Sequence, residues 1–137
     1  MASKHQLTGM TGVYLVAAEL SRQGYIVSPT SRSAQGADLL VTDTECKRSF
    51  AVQVKTNART FNFFLLNSKA ETFYSKNLLY VFVNLRKDRT DYFVVPSTFV
   101  AKSVHISKPS KTRKSVWHSI SIGKIEKYHD NWKLFEN

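Results

Sequence analysis

The sequence predicts one α/β domain over residues 1–137, with a central mixed β-sheet flanked by helices. Three observations predict it. An apolar run of helical length comes first, several short strands rich in branched and aromatic residues follow, and strand and helix signals then alternate to the end. A chain of 137 residues suits one core, and 42% hydrophobic residues is the share of a globular protein rather than a disordered one. No internal repeat and no linker divide it.

Each element has a local reason. Thr8 or Thr11 is placed to cap a first helix, whose run "VYLVAAEL", residues 13 to 20, is apolar except for Glu19. A helix apolar on nearly all sides is expected to be buried. Gly24 ends it. "YIVSP" reads as a strand closed by Pro29, and "TSRSAQG" as a polar loop. "ADLLVTD" and "SFAVQVKT" read as strands separated by "TECKR". "TFNFFLL" is a further strand, and "NSKAETFYSK" a short helix or loop. "NLLYVFVNL" is apolar enough to be the central strand. "RKDRT" turns it into the strand "DYFVVP", and "PSTFVAKSV" reads as a helix. "SKPSKTRKS" is a basic loop, "VWHSISI" a late strand, and "DNWKLFEN" a short last helix capped by Asp130.

Composition excludes several classes. The one cysteine, Cys46, permits no intrachain disulfide, which fits a reducing, cytoplasmic setting. "MASKHQLTGM" lacks the apolar run of a signal peptide, and no apolar stretch reaches the roughly 20 residues that span a bilayer, so no membrane partner is expected. The histidines and Cys46 lack zinc-ligand spacing. The net charge of +10 points to a polyanion, DNA first. It is uneven. Residues 1–43 balance Lys4, Arg22 and Arg32 against Glu19, Asp38 and Asp43, so the whole excess lies downstream.

The hairpin "QGADLLVTDTECKRSFAVQVKTN", residues 35 to 57, carries the chemistry. Side chains alternate along a strand, so Val52 and Val54 share one face while Gln53 and Lys55 share the other. The valines account for the packing and leave Gln53 and Lys55 unexplained. Asp38 opens the neighbouring strand and can lie beside Gln53. Glu19 is an acid in an apolar helix, which needs compensation. A divalent cation is one such compensation. Magnesium takes oxygen ligands, and one or two carboxylates with water suffice. Asp38, Gln53 and Glu19 are therefore candidate metal ligands. Lys55 is the candidate that orients water and stabilises charge on a phosphate. The set Glu19, Asp38, Gln53 and Lys55 fits phosphodiester hydrolysis.

Glu19 on the first helix, then "GAD" and "VQVK" on successive strands, resembles the PD-(D/E)xK nuclease superfamily, over residues 8 to 57. Ala37 stands where that family loosely keeps proline, and Gln53 where it usually has Asp or Glu. Glutamine occurs there in Mrr-like restriction nucleases. The resemblance implies a restriction-endonuclease-like layered domain and an endodeoxyribonuclease dependent on Mg2+, with Mn2+ as a substitute. The small size, the basic charge and "TSRSAQG" are also similar to archaeal Holliday-junction resolvases.

DNA contacts are expected from Arg32 and Ser33 in that loop, from Lys47, Arg48 and Arg59 flanking the site, and from Lys108, Lys111, Arg113 and Lys114 in "KPSKTRK". Trp117 and Trp132 are expected to be packing anchors. Two other functions compete with a DNA endonuclease of recombination, repair or defence. One is a non-catalytic nucleic-acid-binding module on the same fold; the other is a protein-binding subunit. A homodimer is expected if both strands of a duplex are cut.

Overall fold

The computed structural model describes residues 1–31 and 36–136. The first helix, α1 (Lys4–Arg22), starts earlier than Thr8 or Thr11 would have it. Ser3 and Gln6 form a reciprocal capping box, each side chain taking the other's backbone N–H. Thr11 sits inside the helix, its hydroxyl donating to the Leu7 carbonyl. Nor is the helix buried all round. Gly12, Val16 and Leu20 make one buried stripe, while Tyr14 is 59% exposed. Gly24 ends it at φ +100°, with Tyr25 N–H bonded to Leu20 O and Gly24 N–H to Ser21 O.

Five strands form the main sheet: β1 (Ile26–Pro29), β2 (Leu39–Thr42), β3 (Ser49–Asn57), β5 (Leu78–Leu85) and β6 (Thr90–Pro96). Their order is β1-β2-β3-β5-β6, and β3 runs parallel to β5 while every other pair is antiparallel. This is the mixed sheet that the sequence predicts, and the apolar strand 78–85 is interior to it, buried at seven of its eight positions.

The strands bury both faces. Val16 and Leu20 of α1 pack with Leu39, Val41, Val52, Val54, Leu79, Val81 and Val83. Tyr80, Phe82, Phe93 and Val95 form a second core on the opposite face, covered by α2 (Ser97–Ser103) and a second sheet. That sheet was not foreseen. It has the order β4-β8-β7, from β4 (Phe63–Leu66), β8 (Trp117–Ser121) and the short β7 (His105–Ser107). Phe64 and Ile120, paired across it, supply its buried side. Residues 67–77 form turns rather than a helix. After a four-residue helix, α3 (Ile122–Ile125), the chain ends in two 3-10 turns, and Asp130 has φ +51° rather than capping a helix. Arg48 holds the last turn by donating to the Glu136 carbonyl, and Phe135 is fully buried beside Phe50.

Candidate active site

The site is built on the place where β2 stops. Leu39 pairs with Val52, and among the described residues no strand neighbours β3 beyond that point on this side. The next outward-pointing N–H, that of Val54, would have no partner. Asp38 supplies one: its Oδ2 accepts the Val54 N–H at 2.8 Å, while its own N–H donates to Val52 O at 2.8 Å. The residues before it are held as well. Thr30 donates through its hydroxyl to Ala37 O and through its N–H to Asp38 O. Gly36 adopts φ +75° under the Phe73 ring, and a Cβ there would fall 2.0 Å from that ring. The aspartate is thus a backbone cap and a fixed carboxylate at once.

Gln53 pairs with Tyr80, and Lys55 with Phe82, so both share the face of the second core, opposite α1. Val54 lies between them in sequence. The Asp38 carboxylate, bonded to the Val54 N–H, therefore sits between the two side chains along the strand. Both are half-buried, and no hydrogen bond among the described residues ties up the Gln53 amide. Burial pushes the Lys55 ammonium below its usual range, and the Asp38 charge partly opposes that shift. The structure brings Asp38, Gln53 and Lys55 together.

It does not bring Glu19 to them. Glu19 lies on α1, on the other face of the sheet, where it pairs with Arg22 at 3.6 Å and accepts from Gln23 at 3.3 Å. Tyr92 on β6 is raised above the usual tyrosine range by burial first, and then by the nearby Glu19 charge. Glu19 thus faces the far edge of the sheet, beyond β5. Its side chain is only 22% exposed, and Arg22 and Gln23 at the end of the helix supply the compensation that the acid needs. Among the described residues, no group of three or more His, Cys, Asp or Glu side chains is arranged to hold a metal ion.

A groove of about 880 Å³ opens along the free edge of β3. Its floor runs from Val54 to Arg59. Its walls are the first two turns of α1, with Lys4, His5 and Thr8, and the strand β4; Trp117 stands at its side. Asn57 shapes its end. The buried Asn57 amide donates to the carbonyls of Phe61 and Phe63 and accepts the Arg59 N–H, while Arg86 donates to the carbonyls of Arg59 and Phe61. Gly12 lets α1 lie close over this strand, since a Cβ there would fall 1.8 Å from Thr56 Oγ1.

The expected DNA contacts divide. Arg59 lines the groove beside Lys55. Lys47 and Arg48 do not flank the site. They lie in the turn before β3, roughly 23–26 Å from Lys55 at about 3.3 Å per residue. There Lys47 pairs with Glu45 at 2.8 Å and Arg48 with Asp43 at 3.4 Å. Lys108, Lys111 and Lys114 are exposed on the loop joining β7 to β8. Arg113 is held within that loop, donating to Ser115 O and Lys108 O and stacking 4.4 Å from the Trp117 ring centroid. Arg32 and Ser33 lie outside the described residues. Sequence reasoning missed Lys4 and His5, whose place in the groove depends on how far α1 extends toward the N-terminus.

Among the solved structures that share this architecture are two nucleases. One is the bacterial homing endonuclease I-Ssp6803I, at a TM-score of 0.62 and 16% identity, over 99% of this chain and 94% of that one. The other is Hjc of Archaeoglobus fulgidus, a Holliday junction resolvase from an archaeal hyperthermophile, at a TM-score of 0.52 and 12% identity, over 86% and 87%. The chain has the restriction-endonuclease-like fold. No family model matches the sequence, and no curated protein does. Within the restriction-endonuclease-like frame, Asp38 lies just before β2 while β3 carries Gln53 and Lys55, and no helix among the described residues is long and apolar enough to cross a membrane.

Proposed function

We propose that the chain is a metal-dependent DNA endonuclease that hydrolyses phosphodiester bonds, in recombination, repair or defence. One observation carries this reading: a carboxylate fixed on a strand edge, Asp38, sits next to an untethered amide, Gln53, and a half-buried lysine, Lys55. The fold likeness to a homing endonuclease and a Holliday junction resolvase supports it.

The donor set suits Mg2+ or Mn2+. One carboxylate oxygen and one amide oxygen leave room for the waters and phosphate oxygens that Mg2+ prefers to keep. Asp38 and Gln53 would hold the ion, which when bound supplies Lewis-acid polarisation of the phosphate and a more acidic water. The chain's own residues do the rest. Asp38 is kept rigid by Val54. Lys55 places a positive charge where negative charge grows on the phosphate, and its partial burial strengthens that interaction. Arg59 and the exposed lysines of the 108–114 loop draw in the phosphate backbone without choosing sequence. The active species is proposed as a cytoplasmic homodimer, one centre for each strand.

The test is plasmid nicking with Mg2+ or Mn2+. Lys55→Ala is expected to abolish cleavage while DNA binding survives. Gln53→Glu is expected to keep or raise cleavage, because it restores a charged ligand. The site's single carboxylate favours one competing reading, a binding module without catalysis. Purified protein that binds DNA but never nicks it with either metal would establish that reading, whereas a Lys55→Ala protein as active as the parent would expose a contaminating nuclease.

A further inference from the structure

The groove beside Lys55 has a composition that phosphodiester chemistry alone does not require. Among the described residues, three cations line it, Lys4, Lys55 and Arg59, and no carboxylate does. Four aromatic side chains line it too, Phe61, Phe63, Phe64 and Trp117. Phe61 and Trp117 are 48% and 42% exposed, and Phe61 stacks on Phe63 at 5.3 Å with the planes 17° apart. Trp117 is not a packing anchor. Its indole is held from two sides instead, by the Arg113 guanidinium on its ring and by Ser115 Oγ, which accepts from Nε1 at 3.1 Å.

Exposed large aromatics are unfavourable in water, and these are held in fixed orientations rather than covered. Fixed rings beside an all-positive groove match the requirements of a single nucleic-acid strand: cations follow the phosphates while flat rings take the bases. Paired bases in a duplex keep their faces against each other and cannot use such rings. The groove's volume is that of a ligand cleft, about 880 Å³ against a usual range of roughly 300–1,000 Å³.

We infer that this groove binds an unpaired DNA strand, stacking bases on Trp117 and Phe61, so that the preferred substrate has an unpaired segment next to the phosphate presented to Lys55. The strand-binding part stands on the groove itself; the cleavage part rests on the proposed nuclease reading.

The experiment uses the full chain without divalent metal. A short oligothymidylate and a blunt mixed-sequence duplex with the same number of phosphates are titrated at one salt concentration. Trp132 packs against Tyr92 and Phe135 and is remote from the groove lining, so Trp132→Phe leaves Trp117 as the sole reporter. The expected result is quenching of Trp117 emission by oligothymidylate, none in Trp117→Phe, and at least about tenfold tighter binding than to the duplex. Trp117→Ala should weaken strand binding by about 5- to 150-fold, the loss expected for one stacked base, while Trp117→Phe stays close to the parent. If Trp117→Ala fails to fold, Phe61→Ala takes its place with a loss in the same range.

Equal affinity for duplex and oligothymidylate, absent quenching, or an unchanged affinity in these alanine variants overturns the inference. So does a protein that ignores oligothymidylate but sediments as a dimer that Trp117→Ala dissolves, since the rings then cover a second copy. Lys55-dependent nicking with no strand preference would reject the inference and leave the nuclease standing. Trp117-dependent strand binding without nicking would do the reverse.

Discussion

Replacing Asp38 separates two jobs that the structure gives to one side chain. As a backbone cap it satisfies the Val54 N–H at 2.8 Å; as a carboxylate it is the one acidic donor of the proposed metal site. Asp38→Ala removes both. A half-buried N–H left without an acceptor costs about 1–3 kcal/mol, and a domain of this length loses about 3–5 °C of Tm per kcal/mol. The expected drop is therefore roughly 3–15 °C. Asp38→Asn keeps an oxygen that can accept the same N–H and loses only the charge-assisted part, about 1 kcal/mol or less. It should melt within about 5 °C of the parent. Neither variant should cleave with Mg2+, because both lack the carboxylate. The assay is a thermal melt by circular dichroism beside plasmid nicking under matched metal. If Asp38→Asn melts as low as Asp38→Ala, the hydrogen bond is not what holds the strand edge. If Asp38→Asn cleaves like the parent, Asp38 is not the metal's acidic ligand.

Three further outcomes follow from the same geometry. Lys55 is pushed below the usual lysine range by burial, and its protonated form is the one proposed to act, so cleavage should fall as pH rises through that lowered value, before an ordinary lysine would titrate; a pH–rate profile flat up to pH ~10.5 would contradict this. Neutralising Lys111, Arg113 and Lys114 together should lower the slope of log affinity against log salt by up to about 0.9 per lost duplex phosphate contact, with all sequences weakened alike; a salt titration on two unrelated duplexes reads it. Gly12→Ala would force a methyl to within 1.8 Å of Thr56 Oγ1, and the displacement of α1 should destabilise the fold by about 1–3 kcal/mol, measured by urea unfolding.

The hairpin was legible because alternation fixes faces. Once Val52 and Val54 were assigned to the core, Gln53 and Lys55 had to share the other side, and the register with Tyr80 and Phe82 agrees. The strand 78–85 was legible for a similar reason, since a run apolar on both faces needs cover on both. What failed were particular placements that only the packing of elements decides. Glu19 looked compensated by a site, but a helix can compensate an acid with its own neighbours, here Arg22 and Gln23, and sequence cannot say which way it rolls. Lys47 and Arg48 are near Gln53 in sequence and at the far end of the strand in space, because a strand is extended. The helix start was misplaced because a Ser-x-x-Gln capping box lay upstream of the more obvious threonines. The second sheet was missed because β4 and β8 are separated by 50 residues and joined only by tertiary pairing.

The early stop of β2 also bears on how the protein avoids sticking to itself. A strand edge without a partner is a template for another chain, and natural proteins guard such edges with charge or cover. Here the open stretch of β3 from Val54 to Asn57 carries Lys55 in its middle, lies in a recess between α1 and β4, and has Lys4 and Arg59 at its borders. The cations proposed to meet phosphate are therefore also the ones that repel a second copy of the same edge. A fully neutralised groove, made to study binding, would present a bare strand of valine, threonine and asparagine, and such a variant should be handled as prone to aggregate before any lost activity is read from it.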